Sequence, residues 1–415
     1  MGGKVSLLLI LAFSGIFGLM GRNLLNFSNE ASENFYNYYS GTRSHNIAVS
    51  GANMAANKLF IDKTWTAGWD TLTIDGGSLK VTVETFETYK RRIYSVGSYR
   101  GISDTVIVTL QPKNFAQYGN FYDKNGAWWA TGDTLRGPFH TNDWLRAYGT
   151  PVFLGNVTTN KGVKLFDKNA HPEFYGDLET GVKIPLEFDT SIIRIAAYDN
   201  GKIFRDTTGK NKITDVNLEL FADGTVKYSI NIDKKGWTPD VTVPLNTLAP
   251  NGVIYVEKGN VFIKGTLNGR LSIVAARKGD KKAGTIHITD DVKYNKDPRI
   301  DPTSTDMLGL IAGDKVQVDF DPTRGDIDIH ASIYSQRDGL VIEKYKDYPG
   351  ASNMNLLGGV IGKELRATAK YAWNGTNYYV TNGYSYVHNF DERFYDVVPP
   401  SFPNTKYFKI ISWLE

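Results

Sequence analysis

The chain of 415 residues has no cysteine. Disulfides, thiolate zinc sites and thiol nucleophiles are therefore excluded. Methionine is scarce at 5, and charge of either sign is close to balanced, with 47 Lys and Arg against 44 Asp and Glu for a net +3. A charge so small and so thinly spread carries no nucleic-acid footprint. The sequence also lacks the HExxH, P-loop and Rossmann signatures and a plausible Ser-His-Asp order. Its acidic loops DNG, DKNG and DPTRGD do not have EF-hand spacing.

What is present is glycine, 41 residues, and aromatic side chains at 13%. That pairing favours strands and turns. One long apolar run breaks the pattern: Val5 to Gly21, VSLLLILAFSGIFGLMG, without a charge and followed by Arg22. As a helix it spans roughly 25 Å, the lower edge of what crosses a bilayer. Val5, Leu8, Leu11, Phe13, Phe17 and Leu19 are its anchoring side chains. A cleaved secretory signal is the rival reading, though Leu19 and Met20 fit a small-residue cleavage site poorly. From Asn34 to Ile61, Phe35, Tyr38, Tyr39, Ile47, Ser50 or Gly51, Met54, Ala55 and Leu59 recur at threes and fours. This predicts a continuing helix whose small residues let another element approach closely.

Period-two runs follow. In SLKVTVETF, Leu79, Val81 and Val83 share one face and Lys80, Thr82 and Glu84 the other, with Asp75-Gly76-Gly77 as the preceding turn. Residues 70–112 read as a meander that packs on the helix. Phe188 to Tyr198 and Ile203 to Lys212 lead into a hairpin, VNLELF and TVKYSIN around Asp223-Gly224. From Asn251 the strands shorten to three to five residues, cut by Gly-Asn, Asn-Gly, Asp-Asp and Gly-Gly. Each fits one side of a coil in a parallel β-helix; a short-stranded sandwich fits the same composition.

The expected fold is thus mainly β with a long N-terminal α-helix, a β-meander and then an irregular parallel β-helix or solenoid-like body. The expected divisions are a membrane or filament helix over 1–62, the meander over 63–114, a β-rich intermediate region over 115–250, and a solenoid-like domain with a C-terminal cap over 251–415.

Few residues invite chemistry. His287, Asp326, Asp328 and His330 alternate with Ile in IHITDD and DIDIH, so they are expected to point outward as a polar patch. If their strands stack, they form a carboxylate and imidazole site for metal or glycan chemistry. A solvated sheet face displays the same alternation. His140, in TGDTLRGPFHTND, reads as a satisfied turn residue. Trp128, Trp129 and Trp144 fill a core or stack on sugars, depending on their burial. No catalytic, cofactor-binding or metal-ligating residue is assigned, and no cofactor is expected.

The helix with its segment HNIAVSGANMAANKL at residues 45–59 resembles type IV pilin-like proteins, specifically minor pilins of the PilX type. Where that family carries Glu at the fifth mature position, a chain processed after Gly3 has Leu8. The body resembles an uncharacterised bacterial family of pilus-assembly-like surface proteins. That resemblance rests on TGDTLRGPFHTNDWLRAYGTPVFLGNV, GVIYVEKGNVFIKGTLNGRLSIVAA, GTIHITDDVKYN, LGLIAGDKVQV and HNFDERFYDVVPPSFP. In its central motif Gly132, Gly137, Pro138, His140, Thr141 and Asn142 match, with a structural role. The resemblance implies an exported subunit or accessory protein of a surface filament or secretion-type assembly. Its implied partners are other pilin-like subunits or further copies of itself through the helix, membrane lipid, and a surface glycan, with no nucleic acid. A membrane-tethered adhesin or carbohydrate-binding protein is the alternative, followed by a β-helix polysaccharide lyase or hydrolase.

Overall fold

The computed structural model describes residues 2–86, 90–186, 191–373, 375 and 378–415. Two compact units form, Met1–Pro112 with Tyr407–Glu415, and Lys113–Lys406.

The first unit is built on one helix, Gly2–Ile61, 60 residues without a proline or a break. At 1.5 Å per residue it is about 90 Å long. Its second half buries a single stripe, Ser40, Ser44, Ile47, Ala48, Ala52, Ala55 and Leu59, against the sheet. Fully burying Ile47 and Leu59 stabilises this contact by about 1.5–3 kcal/mol each. The stripe differs from the expected one. Met54 is 41% exposed, Phe35 69% and Tyr38 74%, and Ser50 is exposed as well. The sheet selects small residues over large apolar ones because it lies so close. A Cβ at Gly97 would collide with the Ser44 carbonyl oxygen and lie 2.5 Å from the Ala48 nitrogen. Beside it the Ser95 hydroxyl donates to the Ala48 carbonyl at 2.7 Å.

The sheet has five strands in the order Trp69–Ile74, Gly77–Phe86, Lys90–Tyr99, Ile102–Asn114 and Asn404–Leu414. The first four pair antiparallel in succession. Asp75 and Gly76 make the first turn with φ of 54° and 76°, which matches the twist of a tight hairpin. Leu79, Val81 and Val83 face the helix, as the alternation requires. The last strand, expected to cap the chain or rejoin the sheet, runs beside Ile102–Asn114 and adds Phe408 to this core.

In the second unit ten short strands stack side by side, every pair parallel. Their order is Lys202–Phe204, Val253–Val256, Arg270–Ala275, Met307–Ala312, Ile327–Ser335, Ala351–Glu364, Asn120–Lys124, Phe139–Thr141, Val157–Thr159 and Leu178–Thr180. The chain enters this wall in its middle, at Asn120, and works outward to Thr180 at one end. It resumes at Lys202 at the opposite end and returns until Ala351–Glu364 lies beside Asn120–Lys124. Nine spacings of about 4.8 Å make the wall roughly 43 Å long. A second parallel wall takes the intervening strands, Thr214–Leu220, Val261–Leu267, Ile286–Tyr294, Val316–Val318 and Leu340–Ile342. The Asp-Gly hairpin forms at its edge, with Leu220 opposite Val226. Of the stretch expected to precede that hairpin, residues 188–190 lie outside the described residues, and Ser191–Asn200 is a helix.

The inward column of the long wall is apolar: Ile254, Ile273, Leu310, Ile333 and Val360 are in register and buried in the main core. The outward column of Tyr255, Val274, Ile311, Tyr334, Ile361 and Phe121 is buried too. Segments 115–118 and 390–403 cover it. Phe115 packs edge-on to Tyr334 at 5.3 Å, and Phe402 lies where a side chain at Gly309 would be, 2.7 Å from its Cβ position. Strands buried on both faces read as continuous apolar runs.

Adding one methyl at Gly97 forces helix and sheet apart. Gly97→Ala is expected to lower stability by about 1–3 kcal/mol. Chemical denaturation of the full chain in detergent reads this as a shifted midpoint for the first unit, with the second unit's transition unmoved.

Candidate functional site

The six side chains expected to anchor the chain all lie exposed on the bare half of the helix: Val5 59%, Leu8 67%, Leu11 61%, Phe13 54%, Phe17 68% and Leu19 65%. The exposed apolar surface continues through Leu24, Leu25 and Phe27. By length and composition this helix can cross a membrane.

The central motif lies on the long wall. His140 is fully buried, with Phe121 before it and Thr158 after it in register. Its Nε2 faces the Asn142 Oδ1 at 3.0 Å and its Nδ1 the Thr158 hydroxyl at 2.7 Å. Both are satisfied by a neutral ring that donates from Nε2. Asn142 then ties in the chain beyond the wall: its amide donates to the Ile184 carbonyl at 2.6 Å and its oxygen accepts the Ile184 N–H at 2.9 Å. The Thr141 hydroxyl accepts the Asp143 N–H at 3.2 Å, and the Pro138 carbonyl accepts the Gly119 N–H at 2.8 Å. Gly137, at φ +75°, leaves room for the Phe390 ring; Gly132, at φ +99°, turns the chain in open space. Gly137 is thus where the central motif meets the tail motif HNFDERFYD.

The four patch residues do not converge. The His287 ring stacks on Phe262 at 4.5 Å and bonds Asp319 at 2.7 Å. Asp326 accepts the Asn353 N–H at 2.7 Å, and Asp328 accepts the Asn355 amide at 2.8 Å across the next strand. His330 departs from the outward expectation. It is 5% exposed, because Tyr294 packs edge-on at 5.2 Å and its backbone N–H donates to the ring's Nδ1 at 3.1 Å. Among the described residues no group of three or more His, Asp or Glu is placed to hold a metal ion.

The three tryptophans divide. Trp144 is 39% exposed and Trp129 5%, while Trp128 is half-buried and meets Phe166 edge-on at 5.2 Å. Trp128 and Trp129 line a cavity of about 170 Å³ together with Tyr122, Tyr371, Tyr386 and Asp133. The sequence shows all six residues, yet only the return of Ala351–Glu364 to Asn120 brings them together. Burial pushes the Tyr122 and Tyr386 phenols far up, so this is a poorly solvated place. Asp133 is half-buried, and desolvation pushes its carboxyl up to about 6 against one backbone hydrogen bond from Ala130. A second cavity, about 360 Å³, gathers Arg194, Arg277, Lys278 and Arg337. Glu257 takes Arg194 at 3.1 Å and Lys278 at 3.3 Å, and Asp314 takes Arg277 at 2.9 Å, so two carboxylates offset part of its positive charge.

Residues 78–161 match a domain of unknown function (DUF4900). No curated protein matches the chain. Among solved structures, the competence-associated pilin ComZ from Thermus thermophilus is similar over 91% of this chain and 97% of that one, at 12% identity and a TM-score of 0.38.

Burial holds His140 and His388 neutral, each pushed down to about 4. A histidine depressed in the folded state contributes stability that is complete above its unfolded value near 6.5 and is lost as pH falls toward 4. Each contributes on the order of 3 kcal/mol to that loss. The melting temperature is expected to drop steeply between pH 6.5 and 4. His388→Phe should flatten the slope while lowering the melting temperature at pH 7; an unchanged slope would show that these rings do not set the acid limit.

Proposed function

We propose that this chain is a structural or accessory subunit of a bacterial surface filament or secretion-type assembly. The N-terminal helix places it in the cell envelope, and a solenoid body carries the exposed surface. The observation that carries this reading is the contrast between the two halves of Gly2–Ile61. One half buries a narrow stripe in which small residues alternate with Ile47 and Leu59. The other exposes large apolar side chains all round, from Val5 to Phe27. A helix apolar on every face is stable only inside a bilayer or among other apolar helices. At 1.5–3 kcal/mol per side chain buried, that surface is worth on the order of 20 kcal/mol to whatever covers it. Membrane lipid covers it before assembly, and the helices of like subunits cover it afterwards, in the manner of a minor pilin.

The body supports a non-enzymatic role. Its repeated parallel ladders offer a rigid surface, and the groups that would serve a lyase, His287, Asp326, Asp328 and His330, are each engaged with separate neighbours. A tethered adhesin remains compatible with the same anchor, since display needs only the helix.

Electron microscopy of material sheared from the native cell surface, with immunogold labelling of this chain, tests the assembly. Labelled filaments are expected, and label confined to the membrane fraction would overturn the filament part. The anchor has its own test. Leu11→Asp together with Phe13→Arg is expected to raise the share of the chain in the soluble fraction, since each charge costs about 2.5–3.5 kcal/mol at the centre of a spanning helix. The circular dichroism of the body should not change.

A further inference from the structure

The small net charge of the chain is unevenly placed. In the second unit the turns that end six neighbouring strands of the long wall stack into one ridge: residues 205–213, 257–260, 276–285, 313–315, 336–339 and 363–368. The Glu257 N–H donates to the Phe204 carbonyl at 3.0 Å, and the Gly259 N–H to that of Ala276 at 3.3 Å. Asp314 donates to Gly284 at 2.8 Å, Asp338 to Asp314 at 3.1 Å and Lys363 to Asp338 at 2.6 Å, backbone to backbone. Five spacings of about 4.8 Å make the ridge roughly 24 Å long. It holds 12 Lys and Arg against 6 Asp and Glu, a net +6, where the whole chain carries +3. Everything outside the ridge is therefore net negative.

Part of this charge is unanswered. Lys281, Lys315, Arg337 and Lys363 have no carboxylate within ion-pair distance among the described residues. Midway along the ridge lies the cavity of about 360 Å³. There Arg194 and Lys278 share the one carboxylate of Glu257. Arg277 is recessed, its side chain 13% exposed, because two glycines seat its stem. A Cβ at Gly284 would collide with the Arg277 Cγ, and one at Gly313 would lie 3.1 Å from it. The guanidinium is fixed by Asp314 at 2.9 Å and by the Asp280 carbonyl at 3.1 Å. A preset guanidinium binds an oxyanion with little ordering cost.

The composition of the ridge selects among anions. Its six turns contain no Phe, Tyr or Trp, in a chain that is 13% aromatic, and the one ring in the cavity lining, Tyr255, is 4% exposed. The bases of a single-stranded nucleic acid need aromatic faces to stack on and find none. A duplex lays its phosphates on a broad convex cylinder, which meets the exposed lysines and not the recessed Arg277. A thin chain that carries its charges on side groups meets both. We infer that the ridge binds an acidic polysaccharide, a chain of carboxylate-bearing sugar rings, with one carboxylate in the cavity against Arg277 and Arg337 and others along the lysines. The ridge belongs to the second unit alone, so the inference holds whether the chain is a filament subunit or a tethered monomer.

Calorimetric titration of the full chain in an uncharged polyoxyethylene detergent tests it, with oligogalacturonate, neutral dextran and duplex DNA of matched charge as probes. Oligogalacturonate is expected to bind and dextran is not. Raising NaCl from about 50 to 200 mM should weaken binding at least about tenfold, as counterion release requires. Arg194→Gln with Arg337→Gln, and Lys281→Gln with Lys282→Gln, are each expected to weaken it at least about tenfold, the effect of losing one charged hydrogen bond. Lys344→Gln with Lys346→Gln removes the same charge from a turn that follows the second wall and should leave binding unchanged. All six side chains are exposed, so circular dichroism should match the parent chain. An absence of binding at low salt overturns the inference. So does an equal loss in the Lys344 and Lys346 pair, which marks diffuse attraction, equal binding of dextran, or tighter binding of the duplex.

Discussion

The second unit depends on what happens at Gly358-Gly359, where one strand changes partners. Ala351–Glu364 pairs with Ile327–Ser335 from Met354 through to Gly362, across the glycine pair. On its other edge the first half, to Leu357, pairs with Tyr378–Asn389, while the second half, from Val360, pairs with Asn120–Lys124. The two glycines lie between. A Cβ at Gly358 would strike the Ala331 carbonyl oxygen, and one at Gly359 would strike that of Tyr118. Gly358 also holds φ at +140°, where a side chain is strained. The carbonyl it leaves unpaired accepts the His388 Nε2 at 3.1 Å, and the ring's other nitrogen is 3.4 Å from the Asn120 amide. One buried imidazole therefore ties together the three strands that meet there. Without this crossing, the coil that runs from Lys202 to Glu364 and the coil that begins at Asn120 would be separate stacks, each with a bare parallel edge.

The crossing also makes the cavity. Tyr122 comes from Asn120–Lys124, Val360 from the second half of the long strand, and Tyr386 from Tyr378–Asn389. Three strands that share one backbone junction cannot all fill the space beside it. Tyr122 and Tyr386 both turn their hydroxyls to the Asn120 side chain at 3.2 Å, which draws their rings toward the junction and leaves the volume against Trp129 and Asp133 open. The open volume is thus a consequence of topology.

Much of this fold was legible in the sequence, because hydrophobic period is a local property. The alternation of Leu79, Val81 and Val83 gave the meander, Asp223-Gly224 gave the hairpin, and the all-apolar VIYV and LGLIA runs fit strands covered on both sides. What was not legible is long-range. LLGGVIG reads as one short piece, yet it lies within a single strand of 14 residues that changes partners midway. The meeting of residue 361 with residue 121 leaves no local trace. His330 shows the same limit, since Tyr294 covers a face that the alternation marks as open. One readable signal was missed. In Asp62-x-Thr64, Asp206-x-Thr208, Asp301-x-Thr303 and Asp321-x-Thr323 the carboxylate accepts both the backbone N–H and the hydroxyl of the threonine. Aspartate two residues before threonine was therefore a turn mark as reliable here as Asp-Gly.

The helix and the cavity rest on cores that share no residue. Ile47, Ala48, Ala52 and Leu59 with Leu79, Val81 and Ile93 hold the helix to its sheet, and the column from Ile254 to Val360 holds the coils. Substitutions in cores without common partners act additively, so damage to the anchor leaves the cavity its geometry, and the reverse. Between them the helix needs only its small stripe. Ala48, Gly51 and Ala52 contribute little apolar area, and they are tolerated because Ser95 bonds the helix carbonyl and Gly97 admits its backbone. The large apolar side chains stand on the other half of the helix, where no part of the first unit's core covers them. A chain folding only for its own stability would place Leu and Phe against its sheet and leave Ala outside. This chain sets only Ile47 and Leu59 of its large apolar helix residues fully against the sheet and leaves those from Val5 to Phe27 exposed.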